Sequence, residues 1–261
     1  INKAISACSE SDGGIVRVCG GTYVSGTVFM KSNVEFRIEK GAILRGSSDI
    51  EDYIIDGRKY GLIHSMNLEN IAITGSGMID ANGSAFVNMD EVKVVEPRFQ
   101  DYDSKYTRQG KDYMSPKFGT EDGPVKPKEK RPFPTIEINN CKHFLMKHVT
   151  LKNTPSWAIR LMNSEYAKFI RFDILNDPLI PNSDGIHCTN SRIIQISDIH
   201  FEGGDDAIIV SGVNGEPIKA IENVTVSNCT IMTKSAGVRI GWSDCDIRNC
   251  VFENLVIYSS N

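Results

Sequence analysis

No apolar run in this chain approaches the roughly 18 residues needed to cross a bilayer as a helix, so a helical membrane span is excluded. Basic charge is not in excess either. Lys and Arg number 29 against 33 Asp and Glu, a formal net charge of −4, which leaves no positive field for nucleic acid. The seven cysteines cannot all pair within one chain, and no two have the close spacing of a zinc site. Cys141, Cys188, Cys229 and Cys250 read instead as small core residues, while Cys245 and Cys250 are near enough to bridge across a bend. Neither a metal nor a cofactor is expected. Helical periodicity is nearly absent too. Only Ile1, Ala4, Ile5 and Cys8 fall on one helical face, which predicts a short N-terminal helix capping a β structure.

What the chain has in abundance is short apolar alternation. Phe144, Met146, Val149 and Leu151 recur as Ala167, Phe169, Phe172 and Ile174, then as Ile194, Ile196, Ile199 and Phe201. The pattern returns at Val224, Val226, Cys229 and Ile231, and at Cys250, Phe252, Leu255 and Ile257. Between Val149, Phe172, Ile199, Cys229 and Leu255 the steps are 23, 27, 30 and 26 residues. Alternation with period two marks strands with one buried face, and the Asn, Gly, Asp and Ser between them mark bends. Short strands repeating at this interval predict an all-β fold, a right-handed parallel β-helix, over residues 1–261 as one elongated domain. An antiparallel sandwich is the alternative, because turn residues punctuate sandwiches as well.

The period breaks between Asn88 and Phe133. That stretch is polar and holds five of the ten prolines: Pro97, Pro116, Pro124, Pro127 and Pro132. A 46-residue loop (88–133) inside a solenoid is functional or disordered, and its aromatics favour an ordered excursion, either the wall of a binding cleft or, equally, a surface insertion without contact to substrate.

Chemistry concentrates in two tetrapeptides, Asn182-Ser183-Asp184-Gly185 and Gly203-Gly204-Asp205-Asp206. Asp184 and Asp205 are 21 residues apart, close to one coil of the solenoid, so the acids should stack as neighbours. Carboxyl groups held a few ångströms apart cannot all ionise freely, which places a general acid beside a general base. That is the chemistry of glycoside hydrolysis, and an inverting pair needs roughly 6.5–9.5 Å between its carboxyls to seat the water.

Gly41-Ala42-Ile43-Leu44, Asn153-Thr154-Pro155-Ser156-Trp157, Asn182 to Gly185, Ser191-Arg192 and Gly204-Asp205-Asp206 occur in an order that resembles the polygalacturonases, the pectin hydrolases of glycoside hydrolase family 28. The resemblance spans most of the chain outside 88–133. It implies an inverting, secreted or periplasmic hydrolase acting on pectic polysaccharide. By motif position it makes Asp205 the proton donor and makes Asp184 and Asp206 the pair that activates water. Asn182, His187, Lys234 and Arg239 are the candidate substrate contacts, the last two as cations for a galacturonate carboxylate and His187 either for a carboxylate or to tune the acid pair. Arg192 is a further candidate for a galacturonate carboxylate. Two positions depart from the family pattern. Ala236, in Ser235-Ala236-Gly237, stands where the family places a histidine, and His187 stands where it commonly places an aspartate. The family's Arg-x-Lys motif would follow beyond Asn261, so the chain is expected to be a piece of a longer β-helix. Two other readings share the architecture: a calcium-dependent, pectate-lyase-like enzyme, and a carbohydrate-binding β-helix without catalysis.

Overall fold

The computed structural model describes residues 1–92, 125–128, 130–212, 220–241 and 245–258. These wind into a right-handed parallel β-helix. Successive coils contribute one strand to each of three stacked sheets of eight, eight and seven strands, the last described coil adding to the first two only, and every pairing within those sheets is parallel.

The repeat seen in the sequence is the coil itself. In the first sheet Phe144 pairs with Ala167, Ala167 with Ile194, Ile194 with Val224 and Val224 with Cys250. Val149, Phe172, Ile199, Cys229 and Leu255 each immediately precede the strand their coil gives to the second sheet. The first four are buried and Leu255 is half-buried. Stacked isoleucine, valine and phenylalanine side chains fill the interior as one continuous core. Each coil thus lacks an apolar core of its own and acquires one from its neighbours.

Corners are turned by residues with positive φ. Arg171, Asp198, Asn228 and Asn254 adopt φ of 52, 56, 55 and 51° at one corner of successive coils, a left-handed conformation that asparagine and aspartate tolerate well.

The helix Asn2–Glu10 covers the first coil. Ile5 is fully buried, with Ile1 and Cys8 packed beside it, but Ala4 is exposed and lies off the expected face. Asn2 completes an open strand edge: its Nδ2 donates to Thr27 O at 2.9 Å, and its Oδ1 accepts from Phe29 N at 2.9 Å. One side-chain amide thereby satisfies backbone groups that a neighbouring strand would otherwise meet. All seven cysteines are free thiols, Cys245 and Cys250 included.

The outer face of the first sheet carries a ladder of alternating charge. Glu69, Lys142, Glu165, Arg192, Glu222 and Arg248 occupy one row, each registered with the next. Arg192 Nη2 lies 2.8 Å from Glu165 Oε1, and Arg248 Nε lies 2.9 Å from Glu222 Oε2.

Most of the insertion expected over 88–133, the cleft-wall reading with it, lies outside the described residues. Its base is defined. Val87–Val92 pairs antiparallel with Val125–Pro127. Val87 packs with Leu179 and Ile180, which lie in the loop that leads to Asp184.

Candidate active site

The third sheet builds the site. Ile159, Ile186, Ile208 and Val238 stand side by side on consecutive coils. Two residues upstream in each coil come Trp157, Asp184, Asp206 and Ala236. Backbone bonds carry the register into this corner: Ala158 N donates to Asp184 O, Gly185 N to Asp206 O and Ala207 N to Ala236 O, each at 2.9 Å. The residue registered with Asp184 is therefore Asp206, 22 positions on, rather than Asp205. Asp205 joins the pair from the adjacent position in its coil.

Two glycines allow this approach. A Cβ on Gly185 would sit 2.2 Å from Ala207 O, and one on Gly204 would sit 2.4 Å from Pro178 O. Only a glycine fits where coils approach so closely.

Asp184, Asp205 and Asp206 are all buried, at 4, 4 and 2% exposure, and each offers a carboxylate oxygen within 4.8 Å of the others. That nearest-oxygen distance is shorter than the roughly 6.5–9.5 Å between carboxyl groups of an inverting pair, so spacing alone does not carry the stereochemistry.

Their surroundings differ. Asp206 Oδ1 accepts from Ser235 Oγ at 2.5 Å and from Ala236 N at 3.1 Å, while Arg239 Nη1 lies 2.8 Å from its Oδ2. Asp205 Oδ1 accepts the backbone N–H of Asp206 at 2.9 Å, and Thr233 Oγ1 donates to the Asp205 carbonyl. Asp184 Oδ2 meets His187 Nε2 at 3.0 Å. Burial drives the His187 imidazole from its ordinary 6.5 to about 3, against the opposing pull of the Asp206 charge. The ring is accordingly neutral, and the contact with Asp184 is a hydrogen bond donated from Nε2–H rather than an ion pair. Trp157 stacks on His187 with ring centroids 3.5 Å apart and planes 11° from parallel, which fixes the imidazole.

The acid trio is also the group of side chains among the described residues that could ligate a metal ion. Its donor set argues otherwise. Both oxygens of Asp206 already accept hydrogen bonds or an ion pair, and the Arg239 guanidinium puts positive charge beside the trio, where calcium would seek six to eight oxygens.

The remaining sequence-derived residues divide. Asn182 is half-buried at the site's edge, its Oδ1 accepting from Arg131 Nη2 at 2.5 Å. Arg239 turns to Asp206, Lys234 is half-buried on the same coil, and Arg192 lies away on the first sheet between Glu165 and Glu222. Ala236 stands beside Asp206 and contributes its N–H. Sequence reasoning missed Arg131, whose Nη1 also donates to Pro155 O at 3.0 Å and to Pro181 O at 2.7 Å. Nothing in a basic, proline-rich stretch marks one arginine as a clamp.

Residues 8–219 match the family described as Glycosyl hydrolases family 28. An exo-poly-alpha-D-galacturonosidase of Dickeya chrysanthemi is 25% identical over 233 residues, covering 80% of this chain and 38% of that protein. An endo-polygalacturonase of Pectobacterium carotovorum subsp. carotovorum is 22% identical over 271 residues, covering 98% of this chain and 61% of that protein. The chain thus spans less than two thirds of the length of either relative. In three dimensions it is similar to the polygalacturonase from Erwinia carotovora ssp. carotovora, with a TM-score of 0.69 at 22% identity over 98% of this chain and 72% of that one, a likeness of fold. With the family match covering most of its length, the chain belongs to glycosyl hydrolases family 28.

Proposed function

We propose that this chain is the catalytic β-helix of a polygalacturonase-type enzyme that hydrolyses galacturonosyl linkages of pectic polysaccharide with inversion. The observation that carries the reading is the convergence of three buried aspartates on adjacent coils of a family 28 chain. Asp205 protonates the glycosidic oxygen. Asp184 and Asp206 orient and deprotonate the attacking water. His187 is a positioning residue, whose Nε2–H steers one oxygen of Asp184. Arg239, Ser235 and the Ala236 N–H hold Asp206 in place. Asn182 and Lys234 contact the polysaccharide. The substrate is a large plant polymer, so the enzyme works outside the cytoplasm, secreted or periplasmic. No helix among the described residues is long and apolar enough to cross a membrane.

Incubation with a panel of pectic polysaccharides tests the reading, with new reducing ends measured against ultraviolet absorbance. Hydrolysis produces reducing ends without an unsaturated chromophore, and NMR of fresh product reports the inverted anomer. An absorbing unsaturated product would replace hydrolysis by β-elimination. Binding without turnover would leave a carbohydrate-binding β-helix.

A further inference from the structure

We propose that Arg160, one coil before the acid trio, receives a carboxylate of the substrate and makes the site selective for a uronate over a neutral sugar. The inference rests on the pectic reading above and assigns that reading's charge recognition to a residue the sequence did not single out.

Arg160 is registered with His187 on the third sheet. Its strand, Ile159–Met162, buries Ile159 and Leu161 and turns Arg160 and Met162 to the outer face, on the row where His187 meets Asp184. Adjacent strands lie about 4.8 Å apart, so the guanidinium belongs to the coil next to the one that carries Asp184 and His187. Its charge reaches the imidazole: Arg160 and Arg239 both disfavour a proton on the His187 ring.

The partners of Arg160 are few. Nη2 donates to Met162 Sδ at 3.0 Å, and a thioether is a weak acceptor. Nε is buried and has no hydrogen-bond partner. No carboxylate among the described residues pairs with it. Its registered acidic neighbour, Glu137, turns instead to His64, with Nδ1 and Oε2 3.0 Å apart. The site's other cation on this row, Arg239, faces Asp206.

A guanidinium with a buried, unsatisfied N–H carries a desolvation cost that an incoming acceptor removes. The Nε–H and a neighbouring Nη–H point in parallel, which matches the two oxygens of a carboxylate and does not match a lone hydroxyl. The location answers an electrostatic problem as well. A polyanionic substrate must approach three carboxylates, and a cation one coil away offsets that repulsion.

The test is calorimetric binding of α-1,4-galacturonate oligomers, with neutral galactose oligomers as control, to the wild-type chain, Arg160→Gln and Arg160→Lys. Circular dichroism confirms folding. Arg160→Gln should weaken uronate binding by about 10–100-fold, the worth of a charge-assisted hydrogen-bond pair, and leave the neutral oligomer unchanged. Arg160→Lys, which keeps the charge but not the fork, should fall between. In turnover assays Arg160→Gln should raise KM for de-esterified pectin and narrow its advantage over methyl-esterified pectin. Uronate affinity and ester preference that survive in Arg160→Gln would overturn the assignment while leaving the pectic reading intact. A wild-type chain that neither binds nor cleaves uronate polymers would overturn both.

Discussion

Arg239 Nη1 stands 2.8 Å from Asp206 Oδ2, and the pair is largely buried, with side-chain exposures of 18% and 3%. Removing one member of such a pair leaves the other uncompensated. Arg239→Met should destabilise the fold by about 3 kcal/mol, measured by urea denaturation. Adding Asp206→Asn to Arg239→Met should restore part of that loss, because the orphaned charge is then gone. Losses that simply add would show that the two side chains do not interact.

Asp205→Asn removes the proposed proton donor with little change of shape. Turnover of pectic substrate should fall by about 10²–10⁴-fold, the usual worth of positioned acid-base catalysis. Asp184→Asn and Asp206→Asn should each damage water activation, and the double variant should lose less than the product of the single losses, since both act on one water. An Asp205→Asn enzyme with wild-type kcat would end the assignment.

The buried imidazole of His187 links stability to pH. Its folded pKa, about 3, lies below the ordinary 6.5, so the unfolded chain takes up this proton first as the pH falls. The contribution is complete above about pH 6.5 and is lost as the pH drops toward 3, at up to about 1.4 kcal/mol per pH unit. His187→Gln removes that slope. In thermal melts from pH 7 down to pH 4, the stability gap between wild type and His187→Gln should narrow steadily, whereas parallel curves would contradict a neutral buried ring.

Arg131 ties the end of the insertion to the backbone of Pro155 and Pro181 and to the side chain of Asn182. Arg131→Ala should free the loop before Asp184, lowering kcat/KM by about 10-fold, because small displacements of catalytic groups are costly. It should also make that loop easier to cleave in limited proteolysis. Unchanged kinetics would reduce the clamp to a structural ornament.

The coil was legible because burial leaves a direct trace: Val149, Phe172, Ile199 and Cys229 had to be apolar wherever the chain returned inward. The acids were legible for the opposite reason, as carboxylates flanked by glycines inside a β repeat. The register between them was read one residue short, since the length of a coil depends on corner geometry that composition does not reveal. Arg239 was singled out as a substrate contact, but its pairing with Asp206, and Arg160 altogether, were beyond reach in a different sense. Whether an outward-facing arginine meets an acid is decided by the next coil, 20 to 30 residues away, and their own sequence neighbours say nothing about it. Ala4 failed similarly: helical spacing placed it near the buried face, but Ile5, with Ile1 and Cys8 beside it, fills that contact and leaves Ala4 exposed.

The charge ladder from Glu69 to Arg248 imposes a rule of parity on the chain. Its ion pairs are partly exposed and contribute little to stability. Yet a misfolded chain that skips or repeats one coil brings glutamate against glutamate and arginine against lysine along that row, while a shift by two coils restores every match. Odd errors are thereby penalised during winding and even ones are not. On this face a coil can be added or removed with the alternation of charge intact only in pairs.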